Sequence, residues 1–285
     1  MFSPQQLEHY RREGYVVYPD FLSKAEVAAL CADMDVIALG NTLARHDKTR
    51  LEMEPHQPPE GALVRRIYEP CTHYPRFRAL SDSEKLLDCV EQLLGHDLIF
   101  HYSKINMKPP QIGSVVEWHQ DLSYYPLTNR DSTSILFYLD DASVENGCLQ
   151  VIPCRHQAPL MDHTTGGFFR GKITERVDES KAVPLEGRAG AVIFMHCMTP
   201  HASVTNTSQR SRRTLILSYR AADAYPLYCG VMSTSADAHL RLVRGQYSSV
   251  ARVTETRIPV PRYEHKIASL YELQEQSRAA EKKQG

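Results

Sequence analysis

The sequence lacks an excess of charge of either sign and lacks any long apolar run. It contains 33 Lys and Arg residues against 34 Asp and Glu residues, so its formal net charge is −1. Nucleic-acid and membrane-surface proteins need a basic face, which this balance does not favour. No run approaches the roughly 18 apolar residues of a membrane-spanning helix. We therefore expect neither a nucleic-acid nor a membrane partner.

Paired cysteines and targeting signals are also lacking. The seven cysteines are an odd number, and no two form a Cys-x-x-Cys pair. The start, MFSPQQLEHYRREG, lacks the apolar core of a signal peptide, and the end, KKQG, is not a peroxisomal address. These features predict reduced thiols and a cytoplasmic location. The composition leaves the oligomeric state open, and an oligomer is compatible with it.

The residues that are present predict a single domain over 1–285, helical at first and β-rich later. Two capping-box patterns, at Ser3 and Ser23, mark the starts of helices. A third amphipathic run, SDSEKLLDCVEQLLG, completes a helical part over about 1–95. Residues 41–63 are polar and contain proline, which predicts a long loop within this part.

Short runs rich in β-branched and aromatic residues fill about 96–222. They are LIFHYSKINM, SILFYLD, CLQVIP, AVIFM and TLILSY, separated by Gly, Pro and Asn. Such spacing predicts an all-β sandwich or barrel. Residues 158–182 interrupt the strands with a Gly-containing loop, which we interpret as a lid, whereas Asn146–Gly147 fits a turn without chemistry. About 223–285 forms a C-terminal extension that ends in a polar helix or a frayed end.

The stretch EWHQDLSYYP holds the first chemical signal. In an extended strand, His119 and Asp121 point to the same face, so both can reach one point in space. A later cluster carries His196 and His201 just before a predicted strand. Two imidazoles and one carboxylate are the ligand set of non-heme iron(II) oxygenases, which leaves positions open for substrate and oxygen. A basic residue that opens the strand would then hold the carboxylate of a keto acid.

The chain resembles the phytanoyl-CoA dioxygenase family of iron(II)/2-oxoglutarate oxygenases. The matching blocks are KPP, WHQDLSYYP, LDDASVENGCLQVIPCRH and HASVTNTSQRSRRTLILSYRAADA, in family order over roughly residues 5–230. The resemblance implies a mainly β fold, a double-stranded β-helix (jelly roll) with flanking N-terminal α-helices. It also implies an oxygenase that uses Fe(II), 2-oxoglutarate and O2 to hydroxylate or otherwise oxidise an unactivated C–H bond, releasing succinate and CO2. We expect a small-molecule substrate from secondary metabolism or catabolism.

The resemblance further implies roles for single residues. His119, Asp121 and His201 match the metal ligands, and His196 is the competing histidine. The arginine that binds the co-substrate carboxylate matches Arg212, although Arg213 and Arg210 lie beside it. The remaining matches are Ser203, Gln120, Lys104 and Leu136 as co-substrate contacts. Apart from the resemblance, the aromatic residues Tyr124 and Tyr125 could line a substrate pocket, although such residues more often belong to the core.

Three alternatives use the same fold. A halogenase usually lacks the carboxylate ligand, so the presence of Asp121 argues against it. A zinc hydrolase would rely on a metal-bound water, and Arg212 and Ser203 would then have no purpose. A non-catalytic member is opposed by the intact set of three ligands. Succinate production in the presence of iron and 2-oxoglutarate would separate all three from the oxygenase.

Overall fold

The computed structural model describes residues 1–227, 239–264 and 269–281. The helices in these ranges are α1 (Pro4–Glu13), α2 (Lys24–Ala38), α3 (Pro70–His73), α4 (Pro75–Ser81), α5 (Glu84–Leu94) and α6 (Leu270–Glu281). No helix in this described part is both long and apolar enough to cross a membrane. The cysteines that fall within it are free thiols, and Cys229 lies outside the described residues.

The architecture is mainly β, with two antiparallel sheets and a hairpin. The strands are β1 (Tyr15–Tyr18), β2 (Leu51–Met53), β3 (Val64–Tyr68), β4 (Leu98–Lys108), β5 (Val116–His119), β6 (Ser132–Tyr138), β7 (Leu149–Val151), β8 (Thr164–Thr165), β9 (Phe168–Phe169), β10 (Val183–Leu185), β11 (Val192–His196), β12 (His201–Ser203), β13 (Arg212–Ala221) and β14 (Arg241–Arg244). The larger sheet has the order β1-β11-β6-β13-β4-β3-β2, and β14 also pairs with β4. The smaller sheet has the order β10-β7-β12-β5, and β8 pairs with β9.

Alternation along the central strands divides the core into two layers. On β6, Ile135 and Phe137 join the cluster that packs under the N-terminal helices. Leu136 and Tyr138 point the other way, into a second cluster shared with Val151 of the smaller sheet. Because successive side chains of a strand point to opposite faces, the larger sheet has an outer face covered by helices and an inner face turned toward the smaller sheet. The functional residues described below lie on this inner face.

Local signals explain why the helices begin and end where they do. The Ser3 hydroxyl accepts the backbone N–H of Gln6, and the Gln6 side chain accepts the N–H of Ser3. Ser23 and Glu26 form the same reciprocal pair at the start of α2. α1 ends at Gly14, whose φ of 83° is in the left-handed region that favours glycine. Both predicted capping boxes are therefore confirmed.

Several elements differ from the sequence prediction. Residues 41–63 are not a continuous loop, because they contain β2, which pairs with β3. The short helices α3 and α4 were not predicted either. In the C-terminal extension, α6 is docked against the protein, with Tyr271 and Gln274 fully buried. The predicted polar helix is therefore present as α6, and its docking was not predicted, whereas residues 282–285 lie outside the described part.

Candidate metal centre

Three side chains converge at the edge of the smaller sheet. β12 pairs with β5 so that His201 lies directly opposite His119, and the ring centroids are 4.0 Å apart. The Nε2 atoms of His119 and His201 lie 3.8 Å and 3.7 Å from Oδ1 of Asp121, and all three side chains are buried. Since metal bonds to imidazole and carboxylate are about 2.0–2.2 Å long, one ion fits between these atoms. Among the described residues, His119, Asp121 and His201 form the one cluster of His, Cys, Asp or Glu side chains that could hold a metal ion.

Asp121 reaches this point from a turn. The expectation that it shares a strand with His119 is wrong, because β5 ends at His119 and Asp121 opens a short 3-10 helix, Asp121–Ser123. Gln120 between them keeps an extended backbone, with φ −121° and ψ 130°, so the two side chains still point the same way. The hydroxyl of Ser134 on β6 donates to Oδ2 of Asp121 at 2.6 Å. This bond leaves Oδ1 facing the histidines.

The backbone also orients both imidazoles. Nδ1 of His119 lies 2.7 Å from the carbonyl of Glu117, and Nδ1 of His201 lies 3.0 Å from the carbonyl of Thr199. A carbonyl only accepts, so Nδ1 carries the proton and Nε2 presents its lone pair to the metal. Burial lowers the pKa of both rings. Both histidines are therefore neutral at neutral pH, which is the form that binds metals.

The ligand chemistry fits a divalent iron ion. Two imidazoles and one carboxylate suit Fe(II), and three protein ligands on one side leave open positions for other molecules. His196 takes no part in this cluster. Its ring lies 5.2 Å from that of His156 and 6.4 Å from that of Tyr10, and its Nδ1 accepts the N–H of Met198. The geometry thus favours His201 over His196 as the distal ligand.

The two arginines that open β13 point to opposite faces of the larger sheet. Arg213 points outward and makes a bidentate pair with Asp140, with distances of 2.9 Å from Nε and 2.7 Å from Nη2. Arg212 points inward and is buried. It donates to Thr214 Oγ1 and to the Gly147 carbonyl at 2.6 Å each, and its Nε has no partner in the described structure. A buried guanidinium with an unused donor, and with no carboxylate of the described residues within 4.0 Å, suits a bound carboxylate.

The turn at Asn146–Gly147 does more than the sequence suggested. Asn146 holds the turn by accepting the Ser143 N–H and donating to the Asp141 carbonyl at 2.8 Å each. Gly147 has a φ of 76°, and a Cβ there would lie 2.3 Å from the Val204 carbonyl. Only glycine can bring the chain this close. The predicted turn is therefore present, and it places the carbonyl that accepts a hydrogen bond from Arg212.

The Lys-Pro-Pro block also supports the site from its edge. Lys108 is buried, and its ammonium donates to the carbonyls of Ser114 at 2.5 Å and Val204 at 2.6 Å. These bonds hold the end of β12 beside the first turn after β4.

Ser203 lies two residues after His201 on β12 and is buried, so it shares the face of that ligand. Its placement is compatible with the predicted co-substrate contact.

Three further predicted co-substrate contacts occupy different places. Leu136 lies on β6 opposite Ile216 of β13, and Lys104 of β4 lies opposite the same residue, so both share the inner face. The side-chain amide of Gln120 makes two hydrogen bonds. Its Nε2 donates to the Met198 carbonyl at 2.6 Å, and its Oε1 accepts the Met161 N–H at 2.8 Å. Gln120 therefore ties the 158–182 segment to the turn before His201. These two bonds use one N–H donor and one oxygen lone pair of its amide, and the predicted co-substrate contact stays a prediction.

The two predicted substrate contacts are buried tyrosines of different character. Tyr124 packs edge-on against His119, with ring centroids 5.6 Å apart, and its hydroxyl donates to the Gly171 carbonyl. It thus links the metal ligands to the 158–182 segment. Tyr125 packs against Tyr102 at 5.9 Å. Its buried hydroxyl makes no hydrogen bond of standard geometry in the described part of the chain, but it lies close to the side chains of Ser134 and Tyr102.

Comparison with known proteins identifies relatives of this site and fold. The model of the family described as phytanoyl-CoA dioxygenase (PhyH) matches residues 10–214. The chain is 35% identical over 269 residues to a probable alpha-ketoglutarate-dependent hypophosphite dioxygenase of Stutzerimonas stutzeri, covering 92% of each chain. It is 31% identical over 216 residues to a methylphosphonate hydroxylase of Gimesia maris, covering 76% of this chain and 80% of that protein.

A solved structure supports the same relationship. The crystal structure of EctD from S. alaskensis with 2-oxoglutarate and 5-hydroxyectoine matches with a TM-score of 0.66 and 26% sequence identity. The match covers 78% of this chain and 77% of that one. The arrangement of strands and helices is therefore common to both proteins.

Proposed function

Since this chain belongs to the phytanoyl-CoA dioxygenase family, we propose that it inserts one oxygen atom into an unactivated bond to hydrogen of a small substrate. The enzyme is a 2-oxoglutarate-dependent dioxygenase with Fe(II), 2-oxoglutarate and O2 as its cofactor and co-substrates. The balanced reaction is R–H + 2-oxoglutarate + O2 → R–OH + succinate + CO2. The two facing sheets would form the double-stranded β-helix that surrounds the site.

The buried Arg212 carries the proposal. A metal site alone would also suit a hydrolase, but an inward guanidinium with an unused Nε on the same face has no function in metal binding. It would hold the distal carboxylate of 2-oxoglutarate by paired N–H···O bonds. Thr214 and the Gly147 carbonyl fix the orientation of the guanidinium. Ser203 would donate its hydroxyl to the same carboxylate.

The other residues of the site would position reactants and exclude water. When bound, the iron would supply the redox chemistry that couples 2-oxoglutarate decarboxylation to oxidation of the substrate. Ser134 keeps Oδ1 of Asp121 turned toward the metal position. The carbonyls of Glu117 and Thr199 keep the imidazoles in the required tautomer. The 158–182 segment lies over His119 through Tyr124 and would act as the lid.

The names of two relatives narrow the substrate class. The two relatives named above, at 35% and 31% identity, carry names that refer to small phosphorus compounds, hypophosphite and methylphosphonate. We therefore favour a small phosphorus oxyanion that carries a C–H or P–H bond. Insertion of oxygen into that bond gives a hydroxylated phosphonate from a C–H bond, or an additional P–OH group from a P–H bond.

The proposal is tested with succinate formation and iron content in matched variants. Purified protein is loaded anaerobically with Fe(II), then given 2-oxoglutarate and O2 with and without methylphosphonate or hypophosphite. We expect succinate from wild type, and none above background from His201→Ala, because a metal ligand is removed. His196→Ala should keep its iron, since His196 lies outside the ligand cluster. Loss of iron in His196→Ala but not in His201→Ala would overturn the ligand assignment.

Two alternatives predict different results in the same assay. A zinc hydrolase or a non-catalytic binding protein would give no succinate with any of the additions. An oxygenase for a different substrate would still give slow succinate formation without added substrate, and that rate would stay unchanged by the phosphorus compounds. The reaction class and the substrate class are therefore judged separately.

A further inference from the structure

A group of hydrogen-bond donors without acceptors lies on the inner face near the metal ligands. Lys104 occupies the same row across the sheet as Leu136 and Ile216. No ion pair or hydrogen bond of its ammonium group occurs in the described structure, where the ammonium lies 5.4 Å from the ring centroid of Tyr102. An inward ammonium without a carboxylate is unusual, because Lys is seldom placed in an interior unless it is paired.

Arg66 adds a second cation to this group. It lies opposite Asn106 of β4, which in turn lies opposite Thr214 of β13, so it shares the inner face. The side chain is buried. Its Nε donates to Asn106 Oδ1 at 3.0 Å, whereas its Nη2 has no partner within the described ranges. Two neutral acceptors or one anionic group would be needed to satisfy this guanidinium.

The nearest carboxylate does not neutralise the two cations. Glu52 lies 3.7 Å from Arg66, but it is shared with Arg65 at 3.6 Å and accepts the Tyr68 hydroxyl at 2.8 Å. Lys104 has no carboxylate within 4.0 Å in the described part of the chain. Burial and the positive charge of Arg66 lower the pKa of Lys104 to about 8, while the carboxylates of Asp121 and Glu69 oppose this shift, so the ammonium form still predominates at pH 7. Positive charge is therefore left over beside the metal position.

A hydroxyl group completes the set. The buried hydroxyl of Tyr125 makes no hydrogen bond of standard geometry in the described structure, and it lies close to the side chains of Ser134 and Tyr102. Tyr102 lies in the same row of the inner face as Ser134, the residue that orients Asp121. The donors are thus an ammonium, a guanidinium nitrogen and a phenol. By the strand register, Lys104 lies one row of the inner face from Ser134, and Arg66 lies two rows from it. An oxyanion with several acceptor oxygens satisfies all of them.

We infer that Lys104, Arg66 and the Tyr125 hydroxyl bind the negatively charged group of the substrate. This inference rests on the proposed function. It gives Lys104 a part in substrate selection in place of the predicted co-substrate contact. Along β13, Arg212 is four residues from Ile216, the partner of Lys104, which is about 13 Å at the rise of a strand. The separation lets Arg212 hold the distal carboxylate of the co-substrate while the Lys104 group holds a second anion.

The packing of α6 supports the same assignment. Tyr271 of α6 stacks on Arg66, with the guanidinium carbon 4.6 Å from the ring centroid, and on Arg65 at 3.8 Å. This contact fixes the plane of the guanidinium without using its donors. Arg66 is therefore held rigidly while its Nη2 remains available. A rigid donor is suited to selecting one anion geometry over another.

The test measures the binding of two anions to the same protein. Calorimetry follows methylphosphonate or hypophosphite into protein that holds Fe(II) and 2-oxoglutarate without O2, and a separate titration follows 2-oxoglutarate. Lys104→Met keeps the length of the side chain and removes the charge. Because a hydrogen bond to a charged group contributes about 1.5–3 kcal/mol, we expect about ten- to a hundredfold weaker binding of methylphosphonate and hypophosphite. The affinity for 2-oxoglutarate should change less than about threefold.

Two further variants guard against misfolding and non-specific charge effects. Lys48→Met removes an exposed lysine outside the 158–182 segment and should leave both affinities at the wild-type value. Arg66→Lys keeps the charge but loses the guanidinium fork, so it should weaken methylphosphonate binding and leave iron content unchanged. Circular dichroism and unfolding midpoints confirm that each variant is folded.

The outcomes separate the inference from the function beneath it. Weaker 2-oxoglutarate binding with unchanged methylphosphonate binding in Lys104→Met would make Lys104 a co-substrate contact and overturn the inference. Wild-type protein that binds iron and 2-oxoglutarate, but neither methylphosphonate nor hypophosphite, would overturn the inference and leave the proposed function standing. Wild-type protein that binds no 2-oxoglutarate in the presence of iron would overturn both.

Discussion

At the scale of single residues, two adjacent arginines on β13 differ only in the face to which they point. Arg213 is satisfied by the bidentate pair with Asp140. Arg212 is buried with an unused Nε, and burial lowers its pKa from the usual value. Arg213 belongs to a structural ion pair, whereas Arg212 has no carboxylate partner among the described residues. The missing partner of Arg212 is what the co-substrate would provide.

Arg212→Ala should therefore weaken 2-oxoglutarate binding by about ten- to a hundredfold, because a charge-assisted pair is lost. Iron content should be unchanged, since no ligand is touched. Arg213→Ala is the matched control, and it should lower the free energy of unfolding while leaving the 2-oxoglutarate affinity near wild type. Calorimetric titration of 2-oxoglutarate into the two iron-loaded variants measures the affinity, and urea unfolding measures the free energy of unfolding. If Arg213→Ala weakens 2-oxoglutarate binding and Arg212→Ala does not, then the outward arginine binds the co-substrate and the account is wrong.

Glu69 shows how a buried carboxyl makes stability depend on pH. Burial raises its pKa from 4.5 to about 7, although the Ser103 N–H donates to Oε2 at 2.9 Å. The folded state therefore binds more protons than the unfolded state between about pH 4.5 and 7. The contribution of Glu69 to stability falls as pH rises through this window.

Glu69→Gln, which resembles the protonated form, should remove this decline. Relative to wild type, its free energy of unfolding should be similar near pH 5 and higher at pH 8. The expected gain is on the order of 1–3 kcal/mol, from about 1.4 kcal/mol per pKa unit. Urea unfolding at the two pH values measures it. A difference that is the same at both pH values would mean that the carboxyl is not held in its protonated form.

At the scale of elements, α6 fastens the 158–182 segment over the metal centre. Nε2 of Gln274 donates to the Gly171 carbonyl at 2.6 Å, and its Oε1 accepts the Glu117 N–H at 3.1 Å. The Ser277 hydroxyl donates to the Arg170 carbonyl at 3.0 Å. One helix therefore bonds both to the segment and to β5, which carries His119. Gln274 therefore couples the position of residues 158–182 to that of β5, the strand that carries the metal ligand His119.

Gln274→Ala should loosen the lid. We expect faster amide hydrogen exchange in residues 158–182, because two buried hydrogen bonds are removed. Gln276→Ala is the matched control, since Gln276 is exposed and bonds only to Glu272 of its own helix in the described structure. Exchange should also slow in wild type when substrate binds. Equal exchange in Gln274→Ala and Gln276→Ala would show that α6 does not hold the lid.

The strands and caps were predictable because their signals are local. Two Ser-x-x-Glu/Gln patterns start α1 and α2 at the predicted residues, and alternation on β6 divides its side chains between the two faces. The docking of α6 was not predictable in this way. Its sequence is polar, and only the packed molecule shows that Tyr271 covers two buried arginines. Contacts between segments far apart in the chain produce no periodic pattern of apolar residues by which they could be predicted.

At the scale of the whole molecule, the site is assembled from segments far apart in the chain. Spacing and ligand chemistry predicted His119 and Asp121 with a distant histidine, and the resemblance to the family selected His201 over His196. These signals could not predict Arg66, since its arrival on the inner face depends on the order β13-β4-β3 in the larger sheet. The same holds for the part played by Gly147, which depends on the approach of its turn to Val204.

The central claim is that this chain activates O2 with 2-oxoglutarate at a centre of His119, Asp121 and His201. The most direct measurement supplies 18O2 to iron-loaded protein with 2-oxoglutarate and follows the mass of the succinate formed. In the balanced reaction, one oxygen atom enters succinate and the other enters the product. We expect succinate that carries one 18O atom from wild type, and none above background from Asp121→Ala. Unlabelled succinate, or no succinate from wild type that holds its iron, would contradict the account.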